Sequence, residues 1–150
     1  MSRIVAAAVT SNNSIHGTLA NVNDNNPATT CQVSGENPQY FFFVMDLGSN
    51  LSVGSVQLAN LFESGGPDAD MQVRYSNSPL NSGNVGTSFA SVGTISTTPV
   101  TVTINGFGTA RYWGLTQSAG GSNWSTQTLT LGDFNLYTPE GGATILAAMI

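Results

Sequence analysis

The side chains of this chain that could do chemistry are few. It holds one histidine (His16), one cysteine (Cys31), no lysine and eight carboxylates: Asp24, Glu36, Asp46, Glu63, Asp68, Asp70, Asp133 and Glu140. A serine, histidine and acid set needs its histidine within hydrogen-bond reach of the serine. His16 lies in a turn-like Ser14-Ile15-His16-Gly17 segment and reads as a surface or capping residue. Glycoside hydrolysis needs two carboxylates flanking the scissile bond, and no pair stands out among the eight. Without lysine there is no GxxxxGK phosphate loop. A lone cysteine makes neither an intrachain disulfide nor a thiolate zinc site, and Cys31 reads as a small buried hydrophobe. No enzymatic chemistry is expected. What remains is recognition: Trp124, next to Asn123 in a Gly120-Gly121-Ser122-Asn123-Trp124 loop, is the first candidate for stacking on a sugar ring, and Phe62 the second. The alternative for Trp124 is to plug the end of the domain.

Composition narrows the partners. A chain of 150 residues with 40% hydrophobic content suits one domain with a real core. Only 7% of its residues are charged, against about 25% in ordinary soluble domains. The cations are Arg3, Arg74 and Arg111, so the polar surface must be built from Ser, Thr, Asn, Gln and Gly. Such a surface suits permanent contact with other protein chains, because desolvating neutral amides and hydroxyls costs less than desolvating ions. A net charge of −5 without a cationic cluster argues against nucleic acid and against polybasic attachment to a membrane. The apolar run Ile4 to Val9 is short for a signal-peptide core, so no export signal is expected, and no stretch has the length of a transmembrane helix. A small β-domain without disulfides favours synthesis in a reducing cytoplasm.

The elements that must position these residues read as strands. Residues 1–19 form a leading strand or arm, and Asn21 to Thr30 is a dense turn region in which Asn and Asp side chains bond neighbouring backbone. Tyr40 to Leu47 is a near-continuous apolar run, expected as a central strand buried on both faces and ended by Gly48. Leu51, Val53, Val56 and Leu58 continue as a strand whose phase slips around Gly54, predicting a bulge. Glu63 to Asp68 reads as a loop. Met71, Val73 and Tyr75 alternate with polar residues, as do Val100, Val102 and Ile104, after which Asn105-Gly106 predicts a turn. Leu129, Leu131, Phe134 and Leu136 complete the sheets. No segment sustains a helical apolar period, so the fold class is all-β, an antiparallel β-sandwich with N- and C-terminal arms. After Tyr137, residues 138–150 contain a Gly141-Gly142 hinge and the uncharged apolar tail ATILAAMI. Its Ile145, Leu146, Ala147, Met149 and Ile150 are expected either to fold back on the sandwich or to form an arm contacting a neighbouring subunit.

Several of these segments occur together in one known family. A turn-rich loop leading to an aromatic run, Met45-Asp46-Leu47-Gly48 at a strand end, an Ala110-Arg111-Tyr112 strand and a closing Leu131 to Tyr137 strand resemble the discoidin (factor V/VIII type C) and galactose-binding-like family. Its members carry a D-G-x-x-x-T-like loop, a V-D-L-G strand end, an A-R-Y strand and a final E-x-x-V-Y-like strand. The resemblance spans about residues 20–137 and implies a jelly roll, with Asp46 and Arg111 in structural roles. It does not by itself imply sugar binding. It also implies a calcium ion held by Asp24, Asn26 and Thr29 in the loop and Asp133 at the position of the family's closing Glu, a set of hard oxygen donors. The alternative is that Asp24 and Asn26 only cap turns. The chain departs from the family pattern at Asn25 (Gly in the family), at Gly114 (a second arginine) and at Cys31 (a tryptophan).

The function expected from these features is structural. It is that of a virus-particle component, most concretely a bacteriophage capsid cement or decoration protein. Such a protein would self-associate, a trimer being one closed form, and would bridge major capsid or other virion proteins while residing in the virion. The alternative is a lectin-like, extracellular glycan-binding module, free or mounted on a phage tail or fibre, whose partner is a cell-surface glycan.

Overall fold

The structure is a computed structural model that describes residues 2–34, 41–65, 69–117 and 128–139. In chain order the strands are β1 (Arg3–Ile4), β2 (Ala8–Thr10), β3 (Ser14–Gly17), β4 (Cys31–Ser34), β5 (Phe41–Ser64), β6 (Ala69–Ser76), β7 (Thr87–Ile95), β8 (Val100–Gln117), β9 (Thr128–Leu131) and β10 (Asp133–Tyr137), with one 3-10 turn at Leu19–Asn23. Every strand pairing among the described residues is antiparallel. One sheet runs β7-β6-β8-β5-β10-β1, with β2 pairing the start of β5. The other runs β3-β4-β9 and ends on Phe62–Ser64 of β5, so β5 belongs to both layers of the sandwich.

Gly48, expected to end the strand, and Gly54, expected at a bulge, both fall at irregularities within the continuous strand β5, in its ladder with β8. Between Asp46 and Leu51 the register slips by three residues, with Gly48 at φ 81°, a left-handed conformation that glycine adopts without steric cost. A second shift lies between Val53 and Ser55, at Gly54, where the extra residue is on β8. A third lies between Leu58 and Leu61, where Asn60 takes φ 54°. The Asn105-Gly106 turn is corrected: both residues lie within the continuous strand β8, at its bulge opposite Gly54. The loop expected from Glu63 is corrected in part, since Glu63 and Ser64 pair with β9. Ser14–Gly17, expected as a turn, is an edge strand paired with β4. That segment is too short for alternation to register.

Phe41 to Met45 are buried without exception, as expected of a central strand. Phe42, Phe43 and Met45 join the main core with Val33, Leu61, Leu115, Leu129 and Phe134. Phe41 and Val44 instead pack with Leu80 and Tyr112, so the Ser76–Gly86 segment covers the second face. Trp113 anchors the main core from β8. Its ring stacks on Tyr75 at 4.8 Å, meets Phe89 edge-on at 5.2 Å, and donates Nε1–H to the Ala110 carbonyl at 3.1 Å.

Gly114 sits where the packing leaves no room for a side chain. A Cβ at this position would sit 2.5 Å from Phe41 Cδ1 and 3.0 Å from Leu80 Cδ1. The Gly114→Ala variant is therefore expected to lose about 1–3 kcal/mol through overpacking. Urea denaturation checks this; an unchanged midpoint would mean that the Phe41–Leu80 layer yields freely.

Candidate functional site

The outer face of the four-stranded sheet is where the strands collect hydrogen-bonding side chains. Alternation sends Cys31 and Val33 of β4, Leu129 and Leu131 of β9, and Leu61 of β5 into the core. The intervening positions then line up across the sheet. His16 pairs with Gln32, Gln32 with Thr130, and Thr130 with Phe62, one residue per strand in a single row. Beside it runs a second row containing Ser34, Thr128 and Ser64. His16 and Gln32 are exposed, Phe62 is half-buried, and Thr130 is buried. His16 Nε2 lies 3.1 Å from Ser34 Oγ, which orients the imidazole along the face. Amide, imidazole and hydroxyl groups beside one aromatic ring form a surface that can stack a flat apolar ligand face and bond its hydroxyls.

Phe62, expected from the sequence as a candidate for stacking on a sugar, lies half-buried in this row; Gln32, Thr130 and His16 were not identified as its neighbours there. The signal for the first two was present in the alternations Cys-Gln-Val-Ser and Thr-Leu-Thr-Leu. His16 was hidden by being read as a turn. Trp124 and Asn123 lie outside the described residues, as do Ile145, Leu146, Ala147, Met149 and Ile150 of the tail.

A second cluster brings together the four residues expected to hold calcium. After the 3-10 turn, Asp24 Oδ1 accepts the Asn26 amide at 2.9 Å, and its other oxygen accepts the Thr29 hydroxyl. The Asn26 side chain accepts the Ala28 amide at 3.1 Å, and its carbonyl accepts Thr29 N–H at 3.1 Å. Asn25 occupies φ 57°, a left-handed corner that asparagine tolerates better than most residues. Asp133, at the start of β10, is 1% exposed, and its carboxyl meets the Asp24 side chain and the Asn26 amide. Burial, and then the Asp24 charge, push the Asp133 carboxyl above its ordinary value. Its Oδ1 has no hydrogen-bond partner among the described residues. The cap alternative is thus realised for Asp24 and Asn26, yet it leaves a buried carboxylate oxygen unmet. Two converging carboxyls, a hydroxyl and loop carbonyls fit a hard divalent cation. No group of three or more His, Cys, Asp or Glu forms among the described residues, so carbonyl, amide and hydroxyl oxygens would have to supply the remaining ligands.

Asp46 and Arg111 hold the opposite flank of the β5–β8 ladder. Arg111 donates Nε–H to Asp46 Oδ1 at 2.8 Å and its terminal nitrogen to Oδ2 at 3.0 Å, a two-point pair, while stacking over the Tyr112 ring at 5.1 Å. Asp46 also accepts Gly48 N–H at 2.8 Å and so fixes the turn that follows it. Cys31 is a buried free thiol whose pKa burial raises, as a core hydrophobe requires.

Known structures share this architecture. The chain is similar to the CBM32 module of AlyQ in complex with 4,5-unsaturated mannuronic acid, with a TM-score of 0.65, 22% identity, and coverage of 91% of this chain and 98% of that one. It is similar to the family 32 CBM of NanJ from Clostridium perfringens in complex with galactose, with a TM-score of 0.61, 17% identity, and coverage of 89% and 96%. It is similar also to chitosan-binding module 1 of a chitosanase/glucanase from Paenibacillus sp. IK-5, with a TM-score of 0.62, 17% identity, and coverage of 90% and 97%. No protein-family model and no curated protein matches the chain. The likeness shows the fold, an antiparallel β-sandwich of the kind these modules have. It also overturns the expected role as a capsid cement protein: the structures that this chain matches over nearly their whole length are carbohydrate-binding modules, the class of the alternative reading.

The Asp46–Arg111 pair carries a pH signature. The Arg111 guanidinium holds the Asp46 carboxyl below its ordinary value of 3.8. A depressed folded-state pKa contributes stability that is present above the ordinary value and is lost as pH falls through the lowered one. Acid titration followed by circular dichroism is expected to show this loss below pH 3.8 in the native chain. Asp46→Asn is expected to remove that part of the profile; superimposable acid limbs would mean that the pair contributes nothing.

Proposed function

We propose that this chain is a non-catalytic glycan-binding module that receives a sugar on the outer face of its four-stranded sheet. The observation that carries the reading is the His16, Gln32, Thr130 and Phe62 row, set on a fold whose solved neighbours are carbohydrate-binding modules. In this arrangement the Phe62 ring packs on the C–H face of a pyranose. The Gln32 carboxamide, which offers both donors and an acceptor, and the His16 Nδ1 left over from the Ser34 contact take its hydroxyls. Neutral amides and hydroxyls exchange water for sugar hydroxyls at low desolvation cost. The reading extends to Trp124 and Asn123, which precede Thr130 on the link into β9.

Glycan-array screening followed by calorimetry on the best ligand tests this. Phe62→Ala is expected to weaken binding by about 1–2 kcal/mol, roughly five- to thirty-fold, with thermal stability measured alongside to confirm that the fold is kept. An array without any bound glycan, or an unchanged affinity in the variant, would remove the site.

We propose further that Asp24, Asn26, Thr29 and Asp133 hold calcium. The support is the unmet, buried Asp133 oxygen facing a second carboxyl. Bound calcium would neutralise the two carboxyls and pin the Asn21–Thr30 segment to β10, a structural service that leaves the sugar face free. Calcium at about 100-fold over its Kd is expected to raise Tm by roughly 5–10 °C, reversibly with chelator. Asp133→Asn should abolish that response, and a native chain indifferent to calcium would refute the assignment.

A further inference from the structure

The most restrictive feature of this molecule for any ligand is where its positive charge is placed. The chain has three arginines and no lysine. Arg3 donates to Asn135 Oδ1 at 3.0 Å and to the Asn23 carbonyl. Arg74 donates to the Gly86 carbonyl at 2.8 Å, to Gln72 Oε1 at 2.9 Å and to the Val85 carbonyl. Arg111 is engaged on both oxygens of Asp46. Each guanidinium is therefore committed to acceptors within the domain. By sequence, residues 35–40, 66–68 and 118–127 add Glu36 and Asp68 but no lysine or arginine. Whatever these segments add to the binding face, none of it is a fixed cation. His16 is the one further basic side chain, and with it counted neutral the chain carries −5 at pH 7.

A carboxylate or sulfate on a ligand must give up strongly held water when it is bound. Proteins offset that loss with charge-assisted hydrogen bonds, most effectively from a guanidinium fork. Every guanidinium is already engaged by internal acceptors, the partly exposed Arg111 by the two oxygens of Asp46, and none lies on the row; the net charge of the chain also repels an anion on approach. The groups on the row are neutral donors and acceptors, suited to hydroxyls, ring oxygens and amides.

Resting on the glycan-binding reading above, we infer that the ligand is a neutral glycan and that the site rejects uronic, sialic and sulfated sugars. The discrimination comes from the absence of a cation on the row that receives the sugar.

The test is calorimetry or array binding of the full chain at pH 7 with ligand pairs differing only in charge, such as galactose with galacturonic acid and lactose with sialyllactose. The neutral member is expected to bind roughly tenfold or more tightly, and the gap should narrow in 0.5 M salt as repulsion is screened (~4 Å Debye length). An acidic member that binds as well as its neutral partner overturns the inference while leaving glycan binding intact. Binding of neither member to the native chain, across an array that samples both classes, defeats the glycan reading and this inference with it. A second variant separates the cause: Gln32→Arg places a guanidinium at an exposed position of the row. It is expected to move the affinity ratio toward the acidic member, and a ratio that does not move overturns the assignment of specificity to missing positive charge on this face.

Discussion

The antiparallel pairing of β5 with β8 is the interaction on which the other parts depend. β5 is not one uniform strand but three segments in series, each delivering something different. Its first segment, Phe41 to Leu47, is buried on both faces and ends on the Asp46 carboxylate that receives Arg111 from β8. Its second, Ser55 to Ala59, pairs with β10 on the other edge and so sets where Asp133 lies relative to the Asp24 loop. Its third, Phe62 to Ser64, leaves the first sheet for the second and places Phe62 opposite Thr130. Because side chains alternate with a period of two, a shift of one residue in this ladder would turn Phe62 inward and Leu61 outward. The irregularities at Gly48, Gly54 and Asn60 are where the strand absorbs the bends that let one segment serve both layers.

Neutrality of the surface has two readings, and the physical reason the first one failed is instructive. A face of Ser, Thr, Asn and Gln is cheap to dehydrate whether it meets another protein or a sugar. Composition alone therefore does not separate a shell contact from a glycan platform. What turned the reading was the likeness to carbohydrate-binding modules, and the sheet face offers a register of polar side chains across four strands with one aromatic at its end.

Much of the fold was legible because its long strands announce themselves. Val100 to Ile104 and Met71 to Tyr75 alternate cleanly, and the Phe41 to Met45 run is apolar in a way that only burial on both faces accommodates. The broken phase of Val53 and Val56 pointed to an irregularity at Gly54, although its extra residue lies on the partner strand β8. Asn105-Gly106 misled because local turn chemistry was overridden: the glycine is required there by the Phe89 ring, which stands 2.9 Å from the position of a Cβ, and not by a reversal of the chain. Within the candidate sites, the Asp24 loop and Asp133 could be matched to a family pattern, whereas the row on the sheet face could not be assembled. Cross-strand neighbours such as Gln32 and Thr130 are 98 positions apart, and only the pairing register makes them adjacent.

The two ends of the described sandwich meet. Ser2 N–H donates to Thr138 Oγ1 at 2.9 Å, Thr138 N–H donates back to the Ser2 carbonyl at 2.8 Å, and Pro139 packs over Gly54, where a Cβ would stand 2.5 Å from its Cα. A polypeptide can therefore enter and leave this domain through a gap one hydrogen bond wide. Held together in this way, the two strands at the ends, β1 and β10, tie the edge of the first sheet shut, so a pull on both ends would load the β1–β10 and β10–β5 pairings together.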